Sequence, residues 1–260
     1  MSLSFLARVV ERTRGTPLTP HRGPVAAADE PMSGTGKSGA LRAAVFGVND
    51  GLVSNLSLIM GVAGSEVGRT VIVVAGIAGL MAGAFSMAAG EYISMRVQRE
   101  LFERLLHLEA HELAADPEGE HRELVAIYRQ KGMPAKVAEE ASEAVMRDPR
   151  RALETHAREE LGLDPDALGS PWAAAGSSFL TFALGAFVPL APFLVAEGTA
   201  PVLVAIAAGG SALFLVGALM SRLTGRGGLW SGTRMVLLGA AAAAVTFGVG
   251  KLLHVGGVTG

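Results

Sequence analysis

A chain of 260 residues that is half hydrophobic, holds 34 glycines and has a positive mean hydropathy reads as a membrane protein with close helix contacts and not as a soluble enzyme. Its formal net charge of -2 names no partner, and the absence of cysteine excludes disulfides, thiolate zinc sites and thiol catalysis. No strand-like alternation runs through the chain, which sets a membrane barrel aside.

Residues 1–40 are rich in Pro, Gly, Ser and Thr and read as a disordered tail with one short amphipathic helix over Leu3 to Glu11. The tail makes a poor signal peptide, because Arg8 interrupts its only apolar run. GTGKS at Gly34 to Ser38 imitates a phosphate loop. A true loop needs glycine five residues before the Gly-Lys pair, where Pro31 stands, and a strand ahead of it. Neither a nucleotide-driven step nor a nucleic-acid partner is expected.

Residues 41–95 hold two apolar runs, about 43 to 65 and 70 to 95, separated by a short polar turn. Each is long enough to cross a hydrocarbon core of about 30 Å at about 1.5 Å per residue. Each also carries one carboxylate, Asp50 and Glu91. An acid in a spanning helix costs roughly 2.5–3.5 kcal/mol on insertion scales, so it normally faces a partner, a cavity or an ion path. A structural role for Asp50, or snorkelling of Glu91 to the interface, is the plainer alternative. Helical rise places Asp50 about 12 Å from the end of its span near Arg42, and Met87 about 13 Å from the end of the next span near Arg96. Antiparallel neighbours therefore bring Asp50 and Met87 to one height. A carboxylate beside a thioether suits a first-row transition ion better than Mg or Ca; ordinary packing of the methionine is the alternative.

The second run continues past Gly90 in strong helix formers and leaves the membrane as a helix. Residues 96–168 form a helical insert, of which 96–166 hold 17 of the 24 acidic residues, 11 of the 22 basic ones and four of the six histidines. Asp116-Pro117 and Asp148-Pro149 read as a helix cap followed by a first-turn proline, and Gly132-Met-Pro134 separates two more segments, giving three or four short helices. Glu109 with Glu112, and Glu120 with Glu123, are each three apart on one helix face; Glu139, Glu140 and Glu143 follow, and Glu159-Glu160 close the last segment. Paired carboxylates on facing helices hold divalent metals, while a solvated acidic face interleaved with Arg produces the same spacing.

Residues 169–256 supply three more spans, the first of them interrupted by Pro189 and Pro192. The fold class is therefore all-α: a polytopic membrane protein with five transmembrane helices and a small helical insert. Lys37, Arg42, Arg96, Arg99, Arg222, Arg226 and Arg234 fall on one side, Arg69 and Lys251 on the other, which makes the amino terminus and the insert cytoplasmic.

The segments GVNDGLVSNLSLIMGVAG, GLMAGAFSMAAGEYISMRVQRE and GAFVPLAPFL resemble the signature segments of the vacuolar iron transporter family, the Fe and Mn transporters of plants, fungi and bacteria. The likeness runs from about Leu41 to Val255. It implies a homodimer of five-helix subunits in a lipid bilayer, with Fe2+ or Mn2+ as the transported ion leaving the cytosol in exchange for protons and no permanently bound cofactor. It implies that Asp50 and Met87 are pore ligands, that Glu91 is the glutamate of the family's Gly-Glu pair, and that Glu109, Glu112, Glu120, Glu123 and Glu160 are metal ligands of a cytoplasmic metal-binding insert. Two positions depart from the pattern: Ala43, where an aspartate is frequent, and His156-Ala157, where a methionine pair can stand. His156 offers an imidazole ligand in exchange or is a surface histidine. The membrane expected is a bacterial inner membrane, or a vacuolar one if the chain is eukaryotic.

Two other functions fit parts of the sequence. Glu118-Gly-Glu-His121 supplies one Glu-x-x-His, but a membrane-anchored di-iron carboxylate oxidase needs two on long helices. A non-transporting metal sensor would bind metal through the insert and pass none.

Overall fold

The computed structural model describes residues 36–163 and 169–255, and over these the chain is helical with no strand. Eight helices occur among the described residues: α1 (Gly36–Gly64), α2 (Arg69–Ala115), α3 (Pro117–Gln130), α4 (Ala135–Met146), α5 (Pro149–Glu159), α6 (Pro171–Val195), α7 (Ala200–Thr224) and α8 (Gly228–Val255). Five are long and apolar enough to cross a membrane: α1 from Ala43, α2, α6, α7 as far as Arg222, and α8 as far as Leu253. The helix expected over Leu3 to Glu11 lies outside the described residues, as does the tail up to residue 35. The last five residues assigned to that tail, 36–40, open α1 instead. Once Pro31 is past, no proline stands between the tail and the span to stop a helix extending backwards.

The chain forms two compact units, one of Gly39–Ile93 with the chain from Pro171 onward, the other of Ser94–Ser170. Helix α2 contributes to both: 47 residues without a proline, its apolar half in the first unit and its charged half in the second.

In the spanning unit Leu56, Ile59, Leu190 and Phe193 pack inside, but many other large side chains point outwards. Phe46, Val74, Leu184 and Leu237 are each about 60% exposed, as expected where the surroundings are hydrocarbon and turning a leucine inwards gains nothing. Small residues make the closest helix contacts. A Cβ on Gly51 would collide with the backbone oxygen of Phe182, and one on Gly185 with that of Val48, so α1 and α6 touch backbone to backbone. Gly217 and Gly232 do the same for α7 and α8, and Gly64 and Gly250 for α1 and α8, where the Thr246 hydroxyl also donates to Ser57 O at 2.7 Å. Gly51→Val should push α1 from α6 and lower the stability of the detergent-solubilised protein by about 1–3 kcal/mol, read as a lower thermal midpoint.

Both prolines lie within α6, which continues through them. Pro189 has no N–H for the carbonyl four residues back, and next to that carbonyl the Asn55 amide donates to Ala186 O at 2.7 Å. At the end of α6 the Arg69 guanidinium donates to Phe193 O at 2.7 Å and Leu194 O at 2.8 Å and pairs with Glu197 at 3.0 Å. These bonds satisfy carbonyls that a helix terminus leaves without intrahelical donors.

The second unit is built on the charged half of α2. Phe102, Leu106 and Ala110 form one core with Leu153, Ala157 and Leu163, which docks α5 and the chain after it on α2. The caps follow the sequence. Asp116 accepts from Gly119 N at 2.9 Å and Asp148 from Arg150 N at 3.0 Å, each followed by proline at the first helical position. Gly132, at φ +92°, turns the chain between α3 and α4 in a conformation that a side chain would strain.

Candidate metal sites

Two arrangements of ligand-type side chains lie one in each unit. In the insert, α2 brings Glu109, the first turn of α3 brings Glu120, and the end of α5 brings His156 and Glu160, four apart on one face. One ligand atom from each of these four lies within 4.8 Å of the others. His156 Nδ1 is 3.2 Å from Glu109, 3.4 Å from Glu160 and 3.5 Å from Glu120. His156 is completely buried and Glu109 almost so, with the ring's Nε2 lacking a partner. Such burial is not that of a surface histidine, one of the two roles open to it from sequence.

Charge is concentrated here. Burial pushes the Glu120 carboxyl up to about 7, helped by the negative charge of Glu109. Burial alone would lower His156, but hydrogen bonds to Glu109 and Glu160 and the charge of the acids override it and raise the imidazole to about 9. Glu123, one turn beyond Glu120, is also raised, by burial and then by Glu160 and Glu109; it shares the field without belonging to the group of four. Glu112 is half-buried one turn beyond Glu109 and likewise outside the group. Glu139, Glu140 and Glu143 are exposed, with Glu140 paired to Lys136 and Glu143 to Arg147, so they form the solvated acidic face. Glu118 is exposed, and the Glu-x-x-His that it opens contributes neither end to the group.

The sign of the pH dependence follows. His156 titrates higher folded than unfolded, so its pairing contributes fully below about 6.5 and is lost as pH rises through about 9. Glu120 is raised too, which for an acid means that its ionised form is a cost, absent below about 4.5 and complete above about 7. Both terms weaken the metal-free insert between pH 6 and pH 9. The full-length protein should therefore melt at a lower temperature at pH 8.5 than at pH 6 without metal. Mn(II) at saturation should remove most of that difference by replacing protons with a cation.

In the spanning unit, Asp50, Ser54 and Asn55 of α1, Gly79, Gly83, Ser86 and Met87 of α2 and Phe182 of α6 line, with Leu58, one cavity of about 210 Å³. Asp50 is exposed and Met87 half-buried. Gly47 and Gly51, on the same face of α1 as Asp50 and Ser54, are instead the contact with α6. Glu91, one turn beyond Met87, is half-buried and does not line the cavity. Ala43, where the family pattern has a frequent aspartate, is fully buried. Sequence reasoning does not single out Asn55; an amide side chain inside a spanning helix is the signal that points to it.

A profile of the VIT family matches residues 41–251. Over 225 residues the chain is 35% identical to a protein of Acanthamoeba castellanii named vacuolar iron transporter, covering 84% of this chain and 80% of that one. It is 31% identical over 219 residues to vacuolar iron transporter 1 of Arabidopsis thaliana, covering 82% and 86%. It is also 36% identical over 214 residues to VIT-like transporter 1b of Glycine max, covering 82% and 76%.

Proposed function

Because the chain belongs to the VIT family, we propose that it is a transporter that moves Fe(II), and Mn(II) as well, out of the cytosol in exchange for protons. The observation that carries this reading is the cavity among the spans, where a carboxylate and a thioether, Asp50 and Met87, line one wall-to-wall space. A hard and a soft donor together favour a first-row transition ion over Mg or Ca. Asp50 lines the cavity yet is exposed in the single chain, so a second copy of the chain closes the site, as a step that strips water from an ion requires.

The insert lies on the cytosolic side and collects the ion with Glu109, Glu120, His156 and Glu160, Glu112 and Glu123 adding to the attracting field. Ions pass to Asp50 and Met87 of both subunits, with Glu91 one turn away towards the cytosolic end. When the ion has left on the far side, the carboxylate takes up a proton that returns to the cytosol. A site that holds either a metal ion or protons couples the two fluxes without ATP.

Purified protein in liposomes with an acidic interior should take up Fe(II) well above the level of protein-free liposomes. Metal binding with no uptake would replace the transporter with a sensor.

A further inference from the structure

We infer that Asn55 supplies a third ion ligand in the cavity of the spanning unit, its amide oxygen Oδ1 acting beside Asp50 and Met87; this rests on the transporter reading. Asn55 is only 2% exposed, yet it lines the cavity. Its orientation is fixed by chemistry. Ala186 O can only accept, so the amide nitrogen must be the atom 2.7 Å from it, and the amide oxygen points the other way. That oxygen is buried and has no hydrogen-bond partner. A buried acceptor left unpaired costs about 1–3 kcal/mol, and a passing cation removes the cost.

The neighbouring helix agrees. Gly79 of α2, which also lines the cavity, stands directly beside Oδ1, and a Cβ there would lie 2.9 Å from the oxygen. Glycine keeps a side chain off that oxygen. The anchor on the other side is the α6 backbone three residues before Pro189, so the amide is held by a backbone group and not by a mobile side chain.

An amide oxygen differs from Asp50 in carrying no charge and taking no proton. It therefore binds the ion equally well at every working pH and adds a hard donor to a site whose other neutral donor is soft. Asn55 thus sets how strongly the site holds hard ions such as Mn(II) relative to Zn(II), while leaving the proton exchange to the carboxylate.

Two variants separate this role from packing. Asn55→Leu removes both the oxygen and the anchor to Ala186. Gly79→Ala retains the asparagine and its reach to Ala186 and sets a methyl against the oxygen, at the cost of a shift of the flexible Leu58 side-chain end and a slight one of the amide. Uptake of Mn(II) and Zn(II) would be measured for both in liposomes with an acidic interior, alongside the thermal midpoint. The expected result is a KM for Mn(II) raised about tenfold in both variants, with a smaller rise for Zn(II), and a lowered midpoint in Asn55→Leu alone. Wild-type KM values and ion order in both variants, with the wild type transporting, would overturn the ligand role and leave the transporter reading standing. A wild type that takes up no metal would overturn both.

Discussion

Asp50→Asn should abolish metal uptake driven by a pH gradient, lowering the rate about a hundredfold or more, while the protein folds with a thermal midpoint close to that of the wild type. The substitution keeps the shape and one oxygen but removes both properties the mechanism needs: the charge that offsets the loss of an ion's hydration, and a group that exchanges metal for a proton. Asp50 is exposed in the single chain and its carboxylate makes no bond to another helix among those described, so little packing is lost. Asp50→Ala should be equally inactive. Full activity in either variant, measured as Fe(II) entry into liposomes with an acidic interior, would remove the carboxylate from the ion path.

Glu120→Gln should have opposite effects on stability and on binding. In the metal-free protein the Glu120 carboxylate is held in buried surroundings beside Glu109, so a neutral isostere removes a repulsion and should raise the thermal midpoint at pH 8. The same change removes a charged ligand from the group of four, and metal affinity of the insert should fall by about 10- to 100-fold. A residue kept for structure alone would show loss of stability on substitution. Titration calorimetry with Mn(II), beside thermal unfolding with and without the ion, distinguishes the cases. A less stable variant with unchanged affinity would place Glu120 among the structural residues.

Some of this architecture is written plainly in the chain. The five spans follow from hydropathy, and the Asp-Pro pairs at 116–117 and 148–149 are local signals whose caps need no tertiary partner. Asp50 and Met87 could be brought to one height by arithmetic, because helical rise is fixed and the turn between their helices is short. What that arithmetic leaves open is the third wall. Phe182 of α6 completes the cavity, and nothing along α1 says which later helix its glycines will meet. His156 shows the same limit. Four-residue spacing pairs it with Glu160, but its burial comes from α5 docking on α2 through Leu106 and Leu153, a contact between residues far apart in sequence. Spacing pairs Glu109 with Glu112 and Glu120 with Glu123 and leaves a solvated acidic face open, while the family resemblance implies all four as ligands; the group of four takes Glu109 and Glu120, one from each pair.

The central claim is that one site alternates between a metal ion and protons. Recording Fe(II) entry and internal pH together, in liposomes of the wild-type protein with an acidic interior, tests it most directly. Each increment of Fe(II) entering should be matched by alkalinisation of the lumen, and dissipating the pH gradient with a protonophore should stop accumulation. Fe(II) accumulation that continues at full rate without the gradient, and with no change in internal pH, would contradict proton exchange.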